Sequence, residues 1–292
     1  MPDTIERTTL GSVSPGELVR RARSLVPMIR DAQEETEANG RVSEEIFGAI
    51  RDEEIFKILL PRRYGGFEHG LDTFAEVGFE IARGCGSVGW VNSVTAMYHV
   101  FLGMYSEQAQ DEVWGEDPGA VVAASFTPTG SVTAVGGGYS LSGKWMFCSG
   151  IDNCSWTIVG VTIPANSDDG SEEKAYALVR TSDFDMENNW NVVGLAGTGS
   201  KNVMCDDLFV PEHRLLSIED TMTGRPPGAA VNDGPLYRIP LFAAMSCSLV
   251  APIMGMAQGA IDEFETLTKG RTTRGAALSK PAPMAELPGI QL

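Results

Sequence analysis

The chain has 292 residues, of which 43% are hydrophobic, so it can bury a globular core with two or more substructures. Its 22 basic and 39 acidic residues leave a formal net charge of −17, which opposes binding to phosphate backbones and to anionic membranes. We therefore expect neither nucleic acid nor a membrane as a partner.

The cysteines and histidines do not follow the spacing of a metal site. Five cysteines are scattered without a CxxC pair, and the chain has three histidines, so we expect no bound metal. The first residues lack the apolar core of a signal peptide, and no uninterrupted apolar run reaches the roughly 18 residues of a membrane span. These features predict a protein of the reducing cytoplasm.

The first part of the chain has helical patterns. Apolar residues recur at helical spacing in residues 15–39, and Ser43 stands where a cap would begin a second helix that Pro61 ends. Further helices are predicted for residues 72–84, 87–104 and 106–114. We assign residues 1–119 to an N-terminal helical domain.

The composition then changes to one rich in Val, Thr, Ser and Gly. Strands are predicted at residues 121–125, 157–161, 175–179 and 202–205. We assign residues 120–215 to a central β domain, and residues 216–292 to a loop and the start of a C-terminal helical bundle. In that last part we expect a flexible loop over residues 220–234 and a buried helix over residues 241–267, where Gly255 and Gly259 permit close packing.

The most informative stretch is residues 136–150, GGGYSLSGKWMFCSG. We predict a turn at the glycine cluster 136–138, a strand over residues 139–141, a second turn at Ser142 and Gly143, and a second strand over residues 144–148 that closes with Ser149 and Gly150. This pattern is typical of a hairpin. A small hydroxyl and a glycine at a strand end let a flat ring approach the backbone, and Trp145 and Phe147 would supply apolar faces. The stretch therefore fits either the edge of a flavin site or an ordinary hairpin with a buried tryptophan.

Five segments carry a resemblance to a known family: GCGSVGW at 84–90, AQDEVW at 109–114, KWMFCSG at 144–150, GLAGTGS at 194–200 and FVPEHR at 209–214. In this order they resemble the acyl-CoA dehydrogenase fold, and within it the oxygenase components of two-component flavin-dependent aromatic hydroxylases. The resemblance covers nearly the whole chain. It implies an α+β, acyl-CoA dehydrogenase-like fold with an N-terminal helical domain, a central β-barrel domain and a C-terminal helical bundle that is incomplete here.

Acyl-CoA dehydrogenation is the alternative activity of this fold. The dehydrogenases usually carry Thr-Glu-Pro on the first strand and Thr-Asn at the strand end, where this chain has Phe126-Thr127-Pro128 and Cys148-Ser149-Gly150. Both departures favour the hydroxylases. N-oxygenation of an amine or amino-sugar, and a non-catalytic subunit of the same fold, remain further alternatives.

The resemblance also implies a mechanism. Reduced FMN or FAD, delivered by a separate NAD(P)H:flavin reductase, would react with O₂ to a C4a-hydroperoxide that hydroxylates a phenolic or polycyclic aromatic substrate. The catalytic positions would be Ser149 near flavin N5, with His99 and Ser125 at the substrate hydroxyl. The positions that would bind the cofactor are Trp145, Phe147, Ser149, Thr198, Ser200 and Arg271.

Each of these residues also has a structural interpretation. His99 lies in an apolar helical pattern and suits a core histidine, while Ser125, Thr198 and Ser200 could simply form turns. Arg271 could be a solvated residue at a helix end. The apolar helix over residues 241–267 predicts a homo-oligomer, for which the family implies a tetramer. We also expect part of the family's active site to lie beyond residue 292.

Overall fold

The computed structural model describes residues 13–164, 172–273, 282–287 and 290. Helices fill the N-terminal part of the chain, as predicted. They are α1 (Pro15–Asp31), α2 (Gln33–Asn39), α3 (Glu44–Asp52), α4 (Leu71–Gly84), α5 (Gly86–Leu102) and α6 (Glu107–Gln110).

The first two predicted helices are divided more finely than expected. The helix over residues 15–39 breaks at Ala32, because the buried stripe ends at Ile29 and the polar α2 has only Thr36 buried. The Ser43 side chain accepts a hydrogen bond from the Ile46 amide, which confirms the cap. This helix ends well before Pro61, because the backbone of Glu54 turns left-handed at φ 60°.

The β domain is one seven-stranded mixed sheet. Its strands are β1 (Val122–Val135), β2 (Gly138–Cys148), β3 (Trp156–Ile163), β4 (Glu173–Arg180), β5 (Asp185–Glu187), β6 (Lys201–Pro211) and β7 (Leu215–Ser217), in the order β5-β6-β2-β1-β3-β4-β7. The β1–β3 pair is parallel and the other pairs are antiparallel. We expected a barrel. Among the described residues, the outermost strands β5 and β7 pair only with β6 and β4, and not with each other, so the sheet is open.

Of the two turns predicted in the central stretch, the one at the glycine cluster is confirmed and the one at Ser142 and Gly143 is wrong. The turn lies at Gly136 and Gly137, and β2 runs without interruption through Ser142 and Gly143. Gly143 marks a shift in the β2–β6 register, and any side chain there would meet the Trp145 ring at 2.9 Å. Gly143 is therefore needed to make room for the indole, and it does not form a turn.

The loop predicted over residues 220–234 is partly ordered. The helix α7 (Ile218–Thr223) and a 3₁₀ turn at Pro227–Ala230 lie in or next to it. Asn232 is buried, and its side-chain Nδ2 donates hydrogen bonds to the Gly103 carbonyl at 2.8 Å and to Gln110 Oε1 at 2.9 Å. These contacts tie the segment to the helical domain, so the prediction of a flexible loop is wrong for this part.

The long apolar helix is α8 (Leu241–Lys269). A side chain at Gly255 would meet the Phe79 carbonyl at 2.2 Å, and one at Gly259 would meet the Arg83 carbonyl at 2.7 Å, so α8 packs closely on α4 as predicted. By length and composition α8 could also cross a membrane, with a mean hydropathy of 1.5 over 18 residues of which 39% are buried. Its outer face exposes apolar side chains, among them Val250, Ile253 and Met254.

Candidate functional site: a strand end with a chain of hydroxyls

The end of β2 is held against the loop that precedes β6. Cys148 pairs with Lys201, and the Gly150 amide donates a hydrogen bond of 2.8 Å to the Thr198 carbonyl. Gly150 has a φ of 73°, and a side chain at this position would meet Val91 of α5 at 2.7 Å. The strand end is therefore fixed between the sheet and α5, and Gly150 is required for both the turn and the close approach.

Three of the predicted residues meet at this strand end. The Oγ atoms of Ser149 and Ser200 lie 2.7 Å apart, and Thr198 Oγ1 lies 2.7 Å from the same Ser200 Oγ. Thr198 Oγ1 also donates to the Leu195 carbonyl at 2.8 Å. Ser149 is partly exposed, whereas Thr198 and Ser200 are buried. The structure thus joins Ser149, Ser200 and Thr198 in one hydroxyl chain that opens to the surface at Ser149.

Two aromatic rings lie next to segments that carry the hydroxyl chain. Phe147 is 60% exposed at a left-handed φ of 65°, and its ring packs edge-on against Trp190, with ring centroids 5.9 Å apart. The Trp190 Nε1 donates to the Leu195 carbonyl at 3.0 Å, the same carbonyl that ends the hydroxyl chain. Phe147, two residues before Ser149, and Trp190, bonded to the buried end of the hydroxyl chain, thus form an aromatic pair with an exposed apolar face near the strand end.

Trp145 does not contribute to that surface. Its indole is fully buried, packs edge-on against Phe184 and donates from Nε1 to the Gly160 carbonyl at 2.7 Å. Alternation would put Phe147 on the same face as Trp145, but the β2–β6 register shifts between Trp145 and Cys148 and Phe147 has a φ of 65°, so Trp145 is buried while Phe147 is exposed. The prediction that Trp145 offers a face to a bound ring is wrong; it supports the strand from inside.

His99 is a core residue of α5 in this structure. It is 2% exposed, its ring packs edge-on against Trp114, and its Nε2 contacts the Ala120 carbonyl at 3.3 Å. Burial lowers the pKa of His99 to about 4, so the ring is neutral at neutral pH. The cavity beside it has a volume of about 30 Å³, enough for a water molecule but too small for a phenol.

Ser125 and His99 do not share a partner in the structure. The Ser125 hydroxyl donates to the Met146 carbonyl at 2.8 Å and so links β1 to β2. That both side chains contact one substrate hydroxyl stays a prediction. In this structure each side chain contacts a backbone carbonyl, as buried polar groups usually do.

Arg271 lies just beyond the end of α8. Its side chain is exposed, its amide donates to the Thr268 carbonyl at 3.3 Å, and its own carbonyl accepts from the Met284 amide at 2.9 Å. These contacts belong to the helix end, and none of them joins Arg271 to the hydroxyl chain.

The residue that positions the loop was not predicted. Glu37 of α2 accepts a hydrogen bond from the Ala196 amide at 2.9 Å through one carboxylate oxygen and from Ser87 Oγ through the other. Glu37 and Ala196 are 159 positions apart. No local pattern could have identified this contact, since an acidic residue in a polar helix is otherwise typical of a solvated face.

The chain is similar to known proteins over most of its length. The family described as acyl-CoA dehydrogenase, N-terminal domain, matches residues 18–116. The FADH(2)-dependent resorcinol hydroxylase oxygenase component of Rhizobium sp. is 36% identical over 94% of this chain and 67% of its own length. The chain belongs to this family of flavin-dependent oxygenase components.

Solved structures of family members share the fold. The 3-HSA hydroxylase from Rhodococcus sp. RHA1 is 34% identical, with a TM-score of 0.82 over 86% of this chain and 66% of its own. XiaF from Streptomyces sp., solved in complex with FADH2 and glycerol, is 28% identical, with a TM-score of 0.81 over 91% and 67%. The chain thus spans about two thirds of the length of the relatives it matches, and the acyl-CoA dehydrogenase-like fold predicted from the sequence is confirmed.

Proposed function

We propose that the protein is the oxygenase component of a two-component flavin-dependent monooxygenase of the cytoplasm. It would hydroxylate a phenolic or polycyclic aromatic compound with O₂, using reduced FMN or FAD from a separate NAD(P)H:flavin reductase. The observation that carries the proposal is the partly exposed Ser149 hydroxyl at the end of β2, in a chain of this family.

The residues at the strand end fit an isoalloxazine edge. A reduced flavin, when bound, supplies the electrons that activate O₂. Ser149 Oγ has a free hydrogen-bonding position for a ring nitrogen, and Gly150 lets a planar ring approach the backbone. The Phe147 and Trp190 rings would exclude water from that edge, which limits the loss of oxidising equivalents as H₂O₂.

The other predicted residues would act less directly on the flavin than Ser149. Thr198 and Ser200 act through Ser149, since both are buried beneath it. A role for His99 at a substrate would require its side chain to leave the Ala120 carbonyl, and the same holds for Ser125 and the Met146 carbonyl. Arg271 remains a candidate for a flavin phosphate because it is exposed and cationic.

A single-turnover assay tests the proposal. The purified protein is mixed with photoreduced flavin, a phenolic substrate and isotopically labelled O₂, and labelled product is quantified together with H₂O₂. We expect one labelled oxygen atom in the product, and no NADH oxidation unless a reductase is added. Rapid NADH consumption by the purified protein with flavin alone would contradict the proposal.

The Ser149→Ala variant tests the position of the site. Loss of the hydrogen bond between Ser149 and the flavin edge costs about 1 to 3 kcal/mol, so the yield of product relative to H₂O₂ should fall roughly five- to hundredfold. Ser131→Ala is a matched control, because Ser131 is an exposed serine of β1. If Ser149→Ala keeps a normal ratio and normal flavin binding, Ser149 is only a residue of the turn.

A further inference from the structure

The hydroxyl chain at the strand end has a defined direction. It runs from Ser149 through Ser200 and Thr198 to the Leu195 carbonyl, with oxygen–oxygen distances of 2.7, 2.7 and 2.8 Å. A carbonyl oxygen can only accept, and each hydroxyl has a single proton to donate. The position of each proton can therefore be worked out from the buried end.

Thr198 must donate to the Leu195 carbonyl. The two oxygen atoms are 2.8 Å apart, and without a proton between them their lone pairs would repel each other. The carbonyl also accepts from Trp190 Nε1 at 3.0 Å and from the Thr198 amide at 3.2 Å, but neither contact places a proton between Leu195 O and Thr198 Oγ1. The proton of Thr198 is therefore committed to the carbonyl.

The rest of the chain follows from this first assignment. With its proton committed, Thr198 Oγ1 can only accept from Ser200, and Ser200 can then only accept from Ser149. Thr198 is 2% exposed and Ser200 4%, so water has little access to offer them other partners. Ser149, at the open end, is left with lone pairs alone for a bound molecule.

We propose that this hydroxyl chain selects the redox state of the flavin, an inference that rests on the function proposed above. Reduced isoalloxazine carries a proton on N5 and donates, whereas oxidised isoalloxazine has a bare N5 that can only accept. Ser149 presents an acceptor, so it pairs with the reduced ring and faces the oxidised ring lone pair to lone pair. Thr198 and Ser200 are positioning residues that set this direction without touching the flavin.

The test compares the affinities for the two flavin states in variants of the protein. Oxidised flavin is titrated by fluorescence quenching and reduced flavin by anaerobic ultrafiltration, and the ratio of the two Kd values is the readout. In Thr198→Val, Ser200 is free to donate to Ser149, and Ser149 can then donate to oxidised N5. The Kd for oxidised flavin divided by the Kd for reduced flavin should therefore fall about three- to tenfold, mainly because the oxidised form binds more tightly.

Two further variants extend the test. Thr198→Ser keeps the hydroxyl and should retain the wild-type ratio of the two Kd values. Ser200→Ala removes the acceptor for Ser149 and should lower that ratio as Thr198→Val does. Thr181→Val is the matched control, because Thr181 is buried and its hydroxyl lies 2.8 Å from that of Thr157, away from the strand end. It should leave the ratio unchanged.

The possible failures are distinguishable. If both flavin states bind and neither Thr198→Val nor Ser200→Ala changes the ratio, the inference is overturned while the proposed function stands. If the wild-type protein binds neither state, the proposed function fails and the inference fails with it. Thermal unfolding of each variant shows whether a changed ratio comes from a folded protein.

Discussion

Trp145 donates a hydrogen bond of 2.7 Å from Nε1 to the Gly160 carbonyl, and this bond holds its indole on the inside of the sheet. The ring lies over Gly130 of β1 and Gly143 of β2, where side chains would meet it at 2.1 and 2.9 Å. The strand that ends next to Ser149 is thus supported by an indole that needs two glycines.

We predict that Gly130→Ala destabilises the protein by about 1 to 3 kcal/mol, because the added methyl group overpacks the indole. Chemical unfolding and the near-ultraviolet circular dichroism of the tryptophans measure the effect. Gly136→Ala is the control, since nothing lies within 4 Å of a side chain at that position. Equal stability of the two variants would show that the sheet accommodates the methyl group.

The burial of His99 predicts a pH dependence of stability. The folded-state pKa is lowered by burial from 6.5 to about 4, so the unfolded chain binds a proton that the folded chain does not. The stability is therefore fully present above pH 6.5 and is lost as the pH falls towards 4. From pH 7.5 to pH 5 this histidine should account for about 2 kcal/mol of the lost free energy of unfolding.

His99→Gln tests this contribution, because glutamine does not titrate and can still donate to the Ala120 carbonyl. The measurement is the free energy of unfolding at pH 7.5 and at pH 5 for the wild type and the variant. The difference between the two pH values should be smaller in the variant. The same difference in both proteins would show that His99 becomes protonated within the fold.

An ion pair lies beside the loop that carries Thr198 and Ser200. Lys201 Nζ bonds to Asp152 Oδ1, with the side chains 15% and 13% exposed. Lys201→Met should destabilise the protein by about 3 kcal/mol, because it leaves a nearly buried carboxylate without its cation. In the control Lys269→Met, the lost pair with Glu265 is exposed and should be worth less than about 1 kcal/mol. Similar losses of stability in the two variants would contradict this prediction.

The exposed face of α8 supports the prediction that the protein forms a homo-oligomer. Val250, Ile253 and Met254 are each more than half exposed, and Val250 and Met254 line a groove of about 580 Å³ between α1, α4 and α8. We expect light scattering at micromolar concentration to show an oligomer, and Ile253→Glu to reduce its mass. Thr266→Glu, an exposed position on the same helix, is the control. A monomeric wild-type protein would refute the prediction.

The sequence alone determined the order of helices and strands, the Ser43 cap, the close approach of α8 and the family. These features depend on patterns within a few turns or strands, where side-chain spacing and capping chemistry act directly. It also identified Ser149, Thr198 and Ser200 as candidates, but it could not join them.

Only the tertiary structure decided which of the candidates meet. Ser149 and Ser200 are 51 positions apart and come together through the β2–β6 register, while Glu37 reaches the same loop from 159 positions away. Strand alternation does not say which face is buried, so Trp145 was assigned to the wrong side. The register and the buried face are set by packing between distant segments, and that packing placed His99 in the core and left the Ser149 hydroxyl at the surface.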